Sequence, residues 1–486
     1  MSSGLKKSLI TIAVSGLLMS SASYATNGYF SHGYSTKEKG LAGAGVAYSQ
    51  DAMSIANNPA GIAFIGERMD IGAAIFNPNR GYTVTGAAPP VGFSIDNFCA
   101  TGSSFNPMAP NFGLVAPCQP SFSINTGSVD SEAEYFLIPH FAYNWRLNED
   151  SALALAVYGN GGMNTRYKEG SARLLSQTTF SLQDFPGTFG AGTAGVDLAQ
   201  LFFNLSYAKK LDEQSSWGAG IVFAYQQFKA DGLAQFSGYS VDPQNLTNKG
   251  HDTSVGMGAK IGWQGRVAPD VTLGATYQTK IAMSEFDEYS GLFAEGGDFD
   301  IPASLGLGVA WDTSDTSKLV ADLQVIYYSD VAAIANPLSN LTGGQCLDPL
   351  NAVLTGSAAS MPSSGSGVGC LGGASGAGFG WNDMKILKLG YQWEANDIVW
   401  RAGVSYGEQP IPDSEVLFNV LAPGVIETHL TFGFTMPLGA DSEFSFAGMY
   451  APSNSVSGPN PLDNGATNIE LEMDQFELQG TYSMKF

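Results

Sequence analysis

The last eleven residues of the chain alternate without a break. Phe476, Leu478, Gly480, Tyr482, Met484 and Phe486 are apolar or small, and Glu477, Gln479, Thr481, Ser483 and Lys485 between them are polar. A strand turns successive side chains to opposite faces, so the pattern predicts one face in an apolar medium and one in a polar medium. The same period recurs upstream. Phe444, Phe446, Gly448 and Tyr450 oppose Glu443, Ser445, Ala447 and Met449, and Leu305, Leu307, Val309 and Trp311 oppose Ser304, Gly306, Gly308 and Ala310. Segments of this kind predict fourteen strands, near 67–84, 132–146, 151–166, 196–210, 216–230, 252–265, 270–283, 300–312, 317–329, 381–393, 398–408, 424–437, 442–455 and 469–486.

The connections follow their own rule. Six are short (Arg146–Asp150, Leu211–Ser215, Arg266–Pro269, Thr313–Thr316, Glu394–Asp397 and Leu438–Asp441), and they interleave with seven long ones. Strict short–long alternation is expected of an outer-membrane barrel, with tight turns on the periplasmic side and long loops outside. Trp145, Trp217, Trp263, Trp311 and Trp393 fall close to the short turns, as an aromatic girdle at the membrane–water boundary requires. The fold class expected is therefore all-β: a 14-stranded antiparallel transmembrane β-barrel over residues 67–486, acting as a monomer. The terminal strand, with Gly480, Tyr482, Met484 and Phe486 in register, resembles the insertion signal that bacterial barrel proteins present to their assembly machinery.

Two segments precede the first strand. Lys6 and Lys7, the apolar run Leu9 to Met19 and the small residues up to Ala25 read as a secretory leader over 1–25. Residues 26–66 are not strand-like. They contain the run Asp51 to Ala56 followed by Asn57-Asn58-Pro59-Ala60-Gly61, which predicts a short helix ending in an Asn-Pro turn. Such a segment is apolar enough to pack, and the barrel lumen is the space available to it.

Composition excludes other classes. The chain has 486 residues, 44 acidic against 22 basic, only 14% charged, 12% aromatic and 60 glycines. No Lys/Arg cluster suits a nucleic acid, the aromatic content argues against disorder, and after the leader no apolar run is long enough for a membrane helix. The four histidines, His32, His140, His251 and His429, lack metal-ligand spacing, so no metal or cofactor is expected. Gly40, Gly43 and Gly45 lack the strand and the Gly-Lys-Ser/Thr of a phosphate loop. The cysteines lie in two local pairs, Cys99 with Cys118 and Cys346 with Cys370. In an exported chain this favours two loop-closing disulfides, while the spacing leaves pairing across the loops open. The excess acid is expected in the segment 26–66, the lumen and the outer loops, where divalent cations would bridge it to lipopolysaccharide.

Thr26-Asn27-Gly28-Tyr29-Phe30, the Gly40 to Gly45 run, Asp51-Ala52, Asn58-Pro59-Ala60-Gly61, Phe76-Asn77-Pro78, Tyr135-Phe136-Leu137-Ile138-Pro139 and Val196 to Gln200 together resemble the FadL family of outer-membrane transporters for long-chain fatty acids and aromatic hydrocarbons. The resemblance implies a plug, the hatch, whose Asn58-Pro59-Ala60 turn lies against a kink in the third strand. Gly159, Gly161 and Gly162 are the candidates for that kink and for a lateral opening beside it. It further implies passive capture of a hydrophobic small molecule at the outer loops, with release sideways into the membrane lipid. Leu233, Phe236 and Tyr239, with Leu292 and Phe293, are candidate capture residues, unless they only pack their own loops. Arg401 and Arg166 are candidate contacts for a ligand carboxylate, the competing reading of Arg401 being a lumenal ion pair. A general diffusion porin and a lipid-acting barrel enzyme are the alternatives.

Overall fold

The computed structural model describes residues 27–87, 122–175, 182–342, 346 and 367–486. The expected leader over 1–25 and the Cys99–Cys118 pair lie outside the described residues. Fourteen strands form one antiparallel ring: β1 (Arg68–Gly86), β2 (Phe136–Arg146), β3 (Ser151–Asn164), β4 (Gly195–Lys210), β5 (Ser215–Asp231), β6 (Asp252–Ala268), β7 (Val271–Gln278), β8 (Ser304–Ser314), β9 (Ser317–Ile326), β10 (Met384–Ala395), β11 (Ile398–Gly407), β12 (Thr428–Pro437), β13 (Ser442–Pro459) and β14 (Thr467–Lys485). Each strand pairs with its neighbours in sequence, and β14 closes on β1 from Arg68↔Lys485 to Gly86↔Thr467. The expected strands are all present. β7 is shorter than its alternation suggested: it stops at Gln278, and Ala282–Met283 re-pair with β6 as a separate stub.

The alternation sorts side chains as the sequence required. Along β14, Leu478 and Tyr482 point outward and are exposed, while Gln475, Glu477, Gln479, Thr481 and Ser483 are buried inside. Ile75, Ile221, Leu307 and Phe432 add to the outer apolar face. This inside-out distribution suits a wall between lipid and a polar lumen. Near the short turns Trp217 faces Trp263 across β5 and β6, and Trp393 faces Trp400 across β10 and β11. The ring of Trp145 lies 4.7 Å from that of Tyr143, which in turn stacks on the terminal Phe486 at 5.9 Å.

Residues 27–66 thread through the inward-facing side chains. Their regular structure is slight: one helical turn, α1 (Thr36–Lys39), capped by Ser35, and 3-10 turns at Ala52–Ala56 and Pro59–Ala63. A chain this irregular leaves backbone groups without partners of its own, and buried groups must find them elsewhere. The lumenal wall supplies them. Lys388 Nζ donates to the carbonyls of His32 at 2.9 Å and Gly43 at 3.4 Å, and Lys260 Nζ donates to that of Ala56. Asp322 accepts from Gly45 N at 2.7 Å and Val46 N at 3.0 Å, Asp70 accepts from Ala52 N at 2.7 Å, and Asn204 donates to Ile55 O at 3.1 Å.

Side-chain charge fixes the same segment to the seam of the ring. Glu443 of β13 binds Lys37 of α1 at 2.5 Å, Arg68 of β1 at 2.9 Å and Lys485 of β14 at 3.0 Å, and Arg68 also binds Asp70 at 2.7 Å. Lys39 pairs with Glu477. Breaking a buried pair by removing one partner costs about 3–5 kcal/mol, because the other charge stays buried without compensation. Replacing Glu443 by alanine therefore lowers the temperature at which the purified barrel loses its compact, heat-modifiable band on gels. Glu443→Gln, which keeps hydrogen bonding, costs less.

Candidate functional site

The ladder between β2 and β3 is broken. β2 and β3 pair only between Phe141–Arg146 and Ala152–Val157, although β2 goes on pairing with β1 to Phe136 and β3 with β4 to Asn164. Contact resumes where Glu132 N meets Arg166 O at 2.9 Å. Within the break β3 carries a bulge: the register jumps between Gly159 and Gly161, leaving Asn160 as the extra residue. Bulges bend a strand and re-aim its groups. The glycines singled out from sequence lie at this bend.

The start of the hatch occupies the edge that β2 abandons. Ser31 N donates to Asn160 O at 2.9 Å, Gly162 N donates to Tyr29 O at 3.1 Å, and Phe30 bridges to Gly161. The Asn160 side chain accepts from Tyr34 Oη at 2.7 Å and donates to Gln200 at 3.0 Å. The approach is close enough that a Cβ on Gly161 would stand 1.9 Å from the Tyr29 carbonyl oxygen, so only glycine fits.

The Asn-Pro-Ala turn is elsewhere, contrary to what the resemblance implied. Asn58 donates to the carbonyls of Val46 at 2.7 Å and Trp263 at 3.0 Å, and its Oδ1 accepts from Ala60 N at 3.0 Å. Ser216 donates to Ala60 O at 2.8 Å. Pro59 and Asn58 fit a notch formed by Gly218 and Gly262, where a Cβ on Gly262 would meet Asn58 Oδ1 at 2.0 Å. The turn is thus a peg in β5 and β6 near the short-turn end, and Tyr29 to Ser31 are what meets the kink. Gly61 packs against Ser49 and Gln264 in the same region.

On the long-loop side lies a cavity with ≈ 40 Å³ of free space, lined by Val196, Phe228, Leu233, Phe236, Leu292, Phe293, Ala333, Leu371, Ala377, Gly378, Phe379, Phe418 and Leu421. Four of the five expected capture residues line it together. The fifth, Tyr239, packs at the margin of the same cluster. They form a buried pocket instead of an open landing surface: Leu233, Phe236 and Phe293 are at most 4% exposed. Ring contacts knit it, Phe236 to Phe418 at 5.4 Å and Phe293 to Phe228 at 4.6 Å. The Cys346–Cys370 disulfide is formed, and the segment after it brings Leu371, Ala377 and Phe379 into the wall. Phe228, Phe379, Phe418 and Leu421 were not singled out from sequence, since only the long-range fold brings them to the other rings.

Outside the break is a polar groove of ≈ 880 Å³ lined by Tyr135, Phe136 and Leu137 of the β2 end and by Asn164, Arg166, Val196, Asp197, Lys229 and Asp231 among others. Val196 lines both groove and pocket, and Thr165, also in the groove, donates to the carbonyl of the pocket residue Leu421 at 2.8 Å. One residue layer separates them. Arg166 is exposed in the groove. Arg401 is buried and points inward as its alternation suggested, but it donates to Thr435 at 2.7 Å and to Gln50 of the hatch at 2.9 Å. It braces the hatch, lines neither pocket nor groove, and among the described residues makes hydrogen bonds in place of the ion pair considered for it. Among the described residues no cluster of His, Cys, Asp and Glu could hold a metal ion.

A family profile described as outer membrane protein transport protein (OMPP1/FadL/TodX) matches residues 17–435. Among curated proteins none matches the sequence. Similar solved structures include the Pseudomonas putida toluene transporter TodX (16% identity, covering 95% of this chain and 100% of that one, TM-score 0.59). Others are a Pseudomonas aeruginosa FadL homologue (14%, 94% and 100%, 0.59) and the Ralstonia pickettii toluene transporter TbuX (14%, 94% and 99%, 0.55). At these identities the likeness is one of fold.

The seat of the hatch holds buried acid. Glu38 is inaccessible and accepts only from Ser35 N at 3.5 Å, while Ser35 Oγ donates to Asp51 at 2.5 Å. Burial first, and the neighbouring Asp51 second, push the Glu38 carboxyl up to about 8. A carboxyl raised above its ordinary 4.5 contributes fully to seating below that value and loses its contribution as pH rises through about 8. The melting temperature of the barrel accordingly falls between pH 5 and pH 9. In Glu38→Gln that fall is smaller, and an unchanged slope would show that Glu38 is ionised in the seat.

Proposed function

Because the chain belongs to the OMPP1/FadL/TodX family of outer membrane transport proteins, we propose that it carries neutral or weakly polar hydrocarbons, aromatic rings or acyl chains, passively across the outer membrane. The loop pocket takes up the ligand, and the break between β2 and β3 releases it sideways into lipid. The observation that carries this reading is Val196, which lines both the apolar pocket and the groove outside the break. A ligand in the pocket is one side chain away from the wall of the barrel.

Physical chemistry supports the direction of travel. A hydrocarbon gains about 0.8 kcal/mol per buried CH₂, so a pocket of Phe, Leu and Ala binds it with few polar contacts. The pocket lining includes no charged side chain, which favours a hydrocarbon group over a carboxylate as the part recognised. Its free space, ≈ 40 Å³, is room for a few waters at most, so the rings must part to admit a ligand. The lumen below is filled by the hatch, and that argues against a general diffusion pore. Release into the membrane needs no energy source, because the ligand moves from one apolar surface to another.

Cells lacking the protein should take up toluene or long-chain fatty acids more slowly and keep normal influx of small sugars. An equal loss of sugar influx would indicate a porin. Deleting Asn160, the extra residue of the bulge, straightens β3. The expected outcome is lost hydrocarbon uptake with binding to the purified barrel retained, and undiminished uptake would place the exit elsewhere.

A further inference from the structure

The hatch begins as a strand substitute. Where β2 leaves β3, Tyr29 to Ser31 run along the vacated edge and bond Asn160 and Gly162 of β3 through their own backbone. Backbone groups facing a gap in a membrane wall must be paired, so these residues seal it in the way an added strand completes a sheet edge. Two hydrogen bonds along the edge are few, and the segment is held from its other side. The Tyr328 hydroxyl donates to Asn27 O at 2.5 Å and accepts from Tyr29 N at 3.2 Å, clasping the segment on either side of Gly28. Tyr328 heads a 3-10 turn, Tyr328–Asp330, that follows β9, and its ring is fully buried.

The clasp is joined to the apolar pocket by two short series of rings. Phe379, in the pocket wall, lies 6.2 Å from Trp381, and Trp381 meets Tyr328 edge-on at 5.1 Å. Phe293, also in the wall, lies 4.7 Å from Phe299, which lies 6.3 Å from Tyr29. Ala333, a third wall residue, follows Tyr328 in the same loop, and Ile334 O accepts from Trp381 N at 3.1 Å. Close-packed rings transmit displacement because no void absorbs it.

We propose that Tyr328 is the positioning residue that holds the hatch's first residues on the open edge of β3, and that filling the apolar pocket releases it. A ligand that parts Phe293 and Phe379 shifts Phe299 and Trp381. The Tyr328 hydroxyl then loses Asn27 and Tyr29, and Tyr29 to Ser31 leave the edge. The wall thus opens only while the pocket is occupied. This inference rests on the transport reading and adds to it the residue that couples the pocket to the gap.

Hydrogen–deuterium exchange on the purified full-length barrel in lipid nanodiscs tests it, following peptides that cover residues 27–34 and 158–165. Tyr328→Phe keeps the ring and removes the hydroxyl. Without probe, those peptides should exchange about tenfold faster than in the wild type, the worth of two neutral hydrogen bonds. In the wild type, toluene or dodecanoic acid should produce the same acceleration. Trp381→Phe combined with Phe299→Leu keeps the clasp but thins both ring series, so the peptides of this double variant should stay protected both without and with probe. Gel mobility of the unheated barrel confirms that each variant folds, and calorimetry confirms that each binds the probe. If Tyr328→Phe is as protected as the wild type while probe binding is intact, the clasp is overturned and the transport reading stands. If the Trp381→Phe/Phe299→Leu double variant responds to probe as the wild type does, the coupling is overturned. If calorimetry shows that the wild type binds neither probe, the transport reading fails, and the inference fails with it.

Discussion

A hydrocarbon bilayer offers no partner to a backbone N–H or C=O, and every feature of this molecule answers that constraint. Closure of β14 on β1 removes the free edges that an open sheet would expose. Having met the constraint almost everywhere, the ring departs from it between β2 and β3. A break there would expose the edge of β3 to lipid. The hatch supplies the missing partner with its own backbone at Tyr29 and Ser31, so the wall is complete only while the plug is seated. A plug that also serves as a piece of wall makes any movement of the plug a change in the wall.

The interior is correspondingly polar, and its polarity has a use. The hatch has almost no regular secondary structure, so its backbone groups would be costly to bury in an apolar core. Lys260, Lys388, Asp70, Asp322 and Asn204 serve as external partners for those groups, in the place of a helix's own ladder. The hatch therefore depends on the barrel for its shape. Its attachment is uneven along its length. The Asn58–Gly61 end is pegged into β5 and β6, α1 is held by buried ion pairs, and the beginning is held by edge bonds to β3 and by the Tyr328 hydroxyl. That first anchorage coincides with the break in the wall.

Much of this was legible in the sequence. Period two survives any tertiary context in a two-faced wall, so the strands, the short turns and the tryptophan girdle could be counted directly. Strand ends were less legible: the expected end of β7 at 283 ignored that Gln278 ends the ladder while Ala282 and Met283 return to β6. Leu233, Phe236, Leu292 and Phe293 were recognisable as unusual in polar loops, yet nothing local told that they share a pocket with Phe379 and Phe418. The hatch was recognisable as something other than strand, but its partners were not. Asn58 reaches Trp263, and Tyr29 reaches Tyr328, across hundreds of residues, and no periodicity encodes such contacts. The resemblance carried the Asn-Pro-Ala motif to the kink, whereas the donor groups of Asn58 select carbonyls at the opposite end of the barrel.

The pocket is built chiefly from the long loops, while the seat of the hatch is built from strand faces and glycine notches. Substitution in the two regions has different consequences. A changed residue in the notch at Gly262 or on the edge at Gly161 disturbs folding of the whole assembly. By contrast, Leu292 or Ala377 can change size while leaving every lumenal hydrogen bond in place. Under the function proposed above, ligand preference is thus free to diversify among descendants of this chain, and to be redesigned in the laboratory, with the scaffold and its closure inherited intact.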